Sequence, residues 1–220
     1  MKDKTSNLDV VVDHVRDGDI IAIGGFLNNG VPFKLIEKLA QSGIENLTLI
    51  SNDTGFTDTE GIGELVQKQQ FSKIIASHIG TNKETGRQMN EGITVVELVP
   101  QGTIIEQLRS GAFGLGGFLT PTGIGTLVAE GKEIHEVDGI EYLLEYPLKV
   151  DVALVFADTA DKFGNLTYSG SENNFNHIMA ANAKTTIVEA RNIVEIGEID
   201  QNTVVTPGVY VDYIVDGGNE

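Results

Sequence analysis

The 220-residue chain is long enough to bury one hydrophobic core, and 40% apolar with 21% charged residues is ordinary for a globular domain. There is no cysteine, which excludes disulfides and thiolate chemistry; no apolar stretch nears the ~18 residues of a membrane span, and the MKDKTSNLDV start lacks a signal-like core, which fits a cytoplasmic chain. Fifteen basic against thirty-two acidic residues give a net charge of −17 with Lys and Arg scattered singly, so neither nucleic acid nor an anionic membrane is expected as a partner.

In chain order, Asn7 caps a helix in which Leu8, Val11, Val12 and Val15 share a face, with Gly18 as the stop. Ile20–Ile23 is a short β-branched run between Asp-Gly-Asp and Gly-Gly and predicts a buried strand. Pro32 suits a first helical turn, with Leu35, Ile36, Leu39 and Ala40 behind it and Gly43 after it. Strands follow at Leu47–Ile50, Lys73–Ser77 and Val95–Val99, with helices at Gly61–Gln70, Lys83–Met89 and Thr103–Ser110. Gly111–Thr126 is a glycine-rich interruption, and residues 132–146 predict a hairpin turning at Asp138-Gly139. A strand at Val152–Phe156, a helix around His177–Asn182 and a strand at Thr185–Glu189 complete the pattern. Such alternation implies βαβ crossovers: an α/β fold, a mainly parallel sheet with flanking helices, in a single domain covering residues 1–220.

Two glycine-rich loops stand out. In the first, Gly24, Gly25, Phe26, Leu27, Asn28, Asn29 and Gly30 join a buried strand to a proline-led helix, where glycines let backbone amides approach a ligand and the helix start favours anions. A tight turn without a ligand explains the same spacing, and neither the dinucleotide fingerprint nor the P-loop spacing occurs. The second, around Gly116 and Gly117, reads as donors or a flap over substrate, or as a surface loop held by another subunit. Ser51-Asn52-Asp53 and Pro100-Gln101-Gly102 follow predicted strands; Asn52 and Gln101 are candidate donors to a developing oxyanion, or turn residues. His14, His78, His135 and His177 lack metal-site spacing, and no G-x-S-x-G elbow is present.

The stretch Asp17–Pro32 resembles the signature of family I coenzyme A transferases: an acidic-Gly start, a strand, Gly-Gly-Phe, three variable residues, Gly, one variable residue and Pro. The similarity continues through Ser51-Asn52-Asp53, Ala76-Ser77-His78-Ile79-Gly80, Pro100-Gln101-Gly102-Thr103, Phe118-Leu119-Thr120-Pro121-Thr122-Gly123, Gly164-Asn165-Leu166-Thr167-Tyr168 and Asn174-Phe175-Asn176. The chain is most similar to the A (alpha) subunits of the acetate and butyrate–acetoacetate branch, with the succinyl-CoA:3-oxoacid branch as the alternative. The resemblance implies a CoA-transferase/NagB-like fold, an acyl-CoA thioester as substrate with no permanently bound cofactor, short-chain carboxylic acids, and a B (beta) partner in an α2β2 assembly. It implies further that the nucleophilic glutamate is the partner's, that Gln101 and Asn52 line the active site, that Gly24–Gly30 bind coenzyme A, and that Gly116–Gly117 border the same cleft. A non-catalytic ligand-sensing domain of related fold is the reading from another class; such domains accompany a basic DNA-binding module, and the acidic charge opposes it. The tetrad Ser171-Glu172-Asn173-Asn174 echoes the nucleophile motif Ser-Glu-Asn-Gly without its glycine, so Glu172 is expected to be a solvated or helix-capping carboxylate near a helix N-terminus.

Overall fold

The computed structural model describes residues 2–57 and 60–218. Its strands are Thr5–Ser6 (β1), Ile20–Ile23 (β2), Leu47–Asp53 (β3), Phe71–His78 (β4), Val95–Leu98 (β5), Phe118–Thr120 (β6), Ile134–Val137 (β7), Ile140–Glu145 (β8), Val150–Asp161 (β9), Leu166–Thr167 (β10), Ala183–Val194 (β11) and Tyr213–Asp216 (β12). The α-helices are Val10–His14 (α1), Phe33–Ala40 (α2), Ile62–Gln67 (α3), Lys83–Asn90 (α4), Gln101–Ala112 (α5) and Asn176–Asn182 (α6). The main sheet runs β1-β12-β11-β9-β2-β3-β4-β5, parallel throughout, with β10 antiparallel on β9.

Alternation along the strands decides what each face of the sheet packs against. Ile21, Ile23, Leu49, Ile74 and Leu154 point to one side and meet Leu35, Ile36 and Leu39 of α2 with Leu65 and Val66 of α3. Ala22, Ile50, Ile75, Ala153 and Val155 point to the other and meet Ile104 and Leu108 of α5 with Ile178 and Met179 of α6. Both faces are covered, so the central strands read as unbroken apolar runs.

The strand order places a topological switch between β2 and β9, because β2 continues outward to β3 while β9 continues the other way to β11. Ligands of open parallel sheets bind beyond the carboxyl ends of the strands at such a switch. The loops after β2, β3 and β5 all emerge at that carboxyl edge, the first of them at the switch itself. The α5 helix then carries the chain back to the amino edge, where β6-β8-β7 form a separate three-stranded sheet. That sheet is fixed to α5 by the buried Glu145 carboxylate, which accepts from Gln107 Nε2 at 3.1 Å and pairs with Lys132 at 2.5 Å. No helix among the described residues is long and apolar enough to cross a membrane.

Candidate active site

The glycine loop after β2 is a hairpin-like cap held from within the chain. Phe26 and Asn29 exchange backbone hydrogen bonds of 3.0 Å each way, which puts Leu27 at φ 53° and Gly30 at φ 67°. Gly24 donates to the Leu154 carbonyl at 3.0 Å, and Gly25 to the Asn174 side chain at 3.2 Å. Leu27 donates to Asp53 Oδ2 at 2.8 Å. Among the described residues, only the loop amides of Asn28 and Gly30 lack an internal acceptor. Gly24 owes its identity to a side chain rather than a ligand: a Cβ there would lie 1.8 Å from Oδ1 of the fully buried Asn176. The Gly24 and Gly25 amides are therefore spent on the fold, and the groups the loop turns outward are Phe26, Asn28 and Asn29.

Two asparagines, Asn174 just before α6 and Asn176 at its first position, anchor this loop. Asn174 Nδ2 donates to the Asn29 carbonyl at 3.1 Å; Asn176 Nδ2 donates to the Gly30 carbonyl at 2.9 Å, while its Oδ1 accepts from the Phe156 amide at 2.9 Å. Sequence reasoning lacked these roles because the contacts join segments about 145 residues apart. The only signal was the presence of two amides in the Asn-Phe-Asn segment.

The structure does bring Asn52 and Gln101 together. Asn52 ends β3 and is buried; Gln101 is the exposed first residue of α5, and its Nε2 donates to Asn52 Oδ1 at 2.6 Å. Ser77 Oγ donates to the same Oδ1 at 2.9 Å, and Asn52 Nδ2 donates to Asp53 Oδ2 at 2.7 Å. Asp53, absent from the sequence-based site, thus joins the amide pair to the glycine loop. The α5 N-terminus, with the first-turn amides of a 12-residue helix, faces the same carboxyl edge and favours negative charge there.

Gly116 and Gly117 lie elsewhere. The sequence reading puts them on the cleft of Gln101, but α5 runs from that cleft to the amino edge, about 18 Å for its length. Gly117 packs there against β8, where a Cβ would meet the Glu145 carbonyl at 2.7 Å. Within one chain the fold does not bring this loop to Asn52 and Gln101.

Glu172 sits in a short 3₁₀ turn and completes a capping box with Ser169, its Oε2 accepting from the Ser169 amide at 3.1 Å. Its Oε1 accepts from Arg191 Nη2 at 2.7 Å, and Arg191 also pairs with Asp158 and lies over the Phe156 ring. The Glu172 hydrogen bond is the main cause that raises the Arg191 pKa. Glu172, Arg191 and Phe156 line a cavity of about 370 Å³ with Asn29, Gly30 and Lys34, on the β9–β11 side of the glycine loop. No group of three or more His, Asp or Glu among the described residues could hold a metal ion.

Beyond this geometry, a family model described as Coenzyme A transferase matches residues 5–217. The acetate CoA-transferase subunit alpha of Escherichia coli K12 is 52% identical over 215 residues, 98% of this chain and 97% of that one. The acetoacetyl-CoA:acetate/butyrate CoA transferase alpha subunit of Clostridium acetobutylicum is 50% identical over 200 residues, 91% of each chain. Among solved structures, the apoenzyme of an acyl-CoA transferase from Escherichia coli O157:H7 superimposes with a TM-score of 0.87 at 21% identity. The match covers 98% of this chain but only 47% of that longer one.

Proposed function

The chain belongs to the coenzyme A transferase family, and from that premise we propose that it is the alpha subunit of a heteromeric enzyme moving coenzyme A between a short-chain acyl-CoA and a short-chain carboxylic acid. The observation that carries this reading is the identity of 52% across 98% of the chain to an alpha subunit of such an enzyme. The partner is a B-type subunit, in an α2β2 assembly located in the cytoplasm. Exposed Phe113, Leu115, Leu127 and Ile134 around the small sheet suit a chain that assembles.

In the reaction so read, a glutamate of the partner attacks the thioester carbonyl. The C–S bond breaks, and an acyl–glutamyl anhydride and coenzyme A thiolate result. The thiolate attacks the glutamyl carbonyl, releasing the first acid and leaving a glutamyl thioester, which the second acid discharges by the reverse steps. Each attack passes through a tetrahedral oxyanion, and covalent relay of this kind gives ping-pong kinetics. This chain's part is to stabilise that oxyanion. The second Nε2–H of Gln101 has no acceptor among the described residues and is the donor nearest the outer end of the amide pair. Asn52 sets its position; Phe26, Asn28, Asn29 and the free Asn28 and Gly30 amides offer contacts for the coenzyme. With the carboxylate of Glu172 engaged by Ser169 and Arg191, the nucleophile is assigned to the partner.

The test is co-expression with a B-type subunit, followed by assay of acetoacetyl-CoA with acetate, butyrate and succinate. Ping-pong exchange by the complex, and none by either chain alone, is expected. An isolated chain as active as the complex overturns the reading.

A further inference from the structure

Asp53 is buried, yet no cation pairs with it among the described residues; three N–H groups donate to it instead. Oδ2 accepts from the Leu27 amide at 2.8 Å and Asn52 Nδ2 at 2.7 Å, and Oδ1 accepts from the Gly55 amide at 2.8 Å. A carboxylate can only accept, whereas the amides of Asn52 and Gln101 could each face either way. With Oδ2 beside it, Asn52 must turn its Nδ2 inward, because the reverse orientation sets two oxygens against each other. Asn52 Oδ1 is then compelled to face Ser77 Oγ and Gln101 Nε2. Gln101 in turn must direct its NH₂ group, not its carbonyl, at Asn52, which leaves one N–H on that group for a ligand. The polarity of the exposed amide is thus decided two residues away.

We propose that Asp53 is a positioning residue of the transfer reaction, orienting the Gln101 amide through Asn52 while tying the glycine loop to the same carboxylate. The first role rests on the function proposed above for Gln101. The second explains why Leu27, a non-glycine residue, is held at φ 53°: its amide is fixed by the oxygen that fixes Asn52. Loop and amide pair therefore share one anchor, and displacing either disturbs the other.

The experiment uses the assembled complex with five variants: D53A, Q101A, D53A/Q101A, N52D and N52D/D53N. D53A is expected to lower kcat by about 10²-fold, the size of losing one oxyanion donor, and to raise the acyl-CoA KM by releasing the Leu27 amide of the glycine loop. Because Asp53 acts on turnover through Gln101, the kcat of D53A/Q101A should be no lower than that of Q101A; independent damage would multiply the kcat losses. N52D sets two carboxylates face to face and should be as impaired as D53A. Adding D53N restores a donor at position 53 opposite an acceptor at 52 but also turns that donor on the Leu27 amide, so kcat should recover at least about 10-fold while the acyl-CoA KM stays raised. Multiplying kcat losses, or no recovery of kcat in N52D/D53N, overturns the proposal. If D53A does not assemble, the recovery of N52D by D53N decides alone. A readout independent of catalysis is the Gln101 side-chain amide resonance of the full chain, assigned against Q101A. It should shift in N52D and return towards wild type in N52D/D53N. A wild-type complex without transferase activity refutes the proposed function but leaves this resonance test intact; an unmoved resonance refutes the relay whatever the reaction is.

Discussion

At the scale of single residues, Glu172 shows how motif and environment part company. Its tetrad invites the role of nucleophile, but both oxygens are committed, one to the Ser169 amide and one to Arg191. Glu172→Ala is expected to cost about 1 kcal/mol in stability, the usual worth of a capping side chain, and to leave the assembled complex turning over. Thermal denaturation and steady-state kinetics check both, and a borohydride-trapped acyl-CoA adduct should map to the partner rather than to this chain. A folded, assembled and inactive variant would be the adverse result. Asn52 and Gln101 were legible as candidates because each lies at a predicted strand end and matches a family position, but the bond between their amides was not. Asp53 was not, since an Asp two residues before a Gly reads as a local turn, and it does accept from Gly55 in that way. Its second oxygen, which faces Leu27 and Asn52, leaves no local trace. The glycines were legible as a loop, but the reason for Gly24 lies in Asn176, far along the chain.

Among the elements, those with strong periodicity and clear punctuation came through with small boundary changes. The strand Ile20–Ile23 matches in full, and the Asp138-Gly139 turn has φ 52° and 77°, as a two-residue hairpin requires. The two-residue strands β1 and β10, and β6 inside the glycine-rich stretch, carry too few residues for any period to register; β12 also passed unread. The strands β9 and β11 run to 12 residues each, longer than their apolar runs, because they support one another along ten paired positions. The direction of α5 separates its two ends functionally. Gly116 has open space around it, so Gly116→Ala should fold and keep kcat within about 2-fold of wild type, as expected for a surface substitution. A large loss of turnover would restore that loop to a substrate cleft. In α4, hydrogen bonds from Arg87 first and then Gln88 hold the Glu84 carboxyl down to about 2, from an ordinary 4.5. A depressed folded value stabilises the fold above the unfolded value and loses that contribution as pH falls from 4.5 towards 2. The pair is solvent-screened, so Glu84→Gln should lower Tm by only about 1–3 °C at pH 6. That gap should narrow in melts below pH 4.5; a gap that widens there contradicts the assignment.

For the molecule as a whole, the net charge of −17 is a standing repulsion spread over one domain. Raising NaCl from about 10 to about 150 mM shortens the screening length from roughly 30 to 8 Å, so most of that repulsion is removed. Tm of the chain should rise by about 2–4 °C, equivalent to ~1 kcal/mol at this size. Differential scanning calorimetry at fixed pH reads this directly, and a fall in Tm would mean that attractive ion pairs outweigh the excess charge. The class of fold was legible at this scale because alternating strands and helices admit few topologies. The position of the switch between β2 and β9 was not, since it depends on which strands become neighbours.

The pairing of β1 with β12 fixes how the polypeptide can be handled. Thr5 lies beside Ile214 and Ser6 beside Val215, in parallel. The chain therefore comes in at the amino edge of the sheet and goes out at the carboxyl edge, where Gly217 and Gly218 form part of the wall of the 370 Å³ cavity. An affinity tag or fluorophore ahead of Thr5 attaches at the amino edge, away from the cavity, whereas the same cargo attached beyond Gly218 starts beside it. A label at the leading end suits assays of turnover. One at the trailing end serves better as a reporter of what fills the cavity.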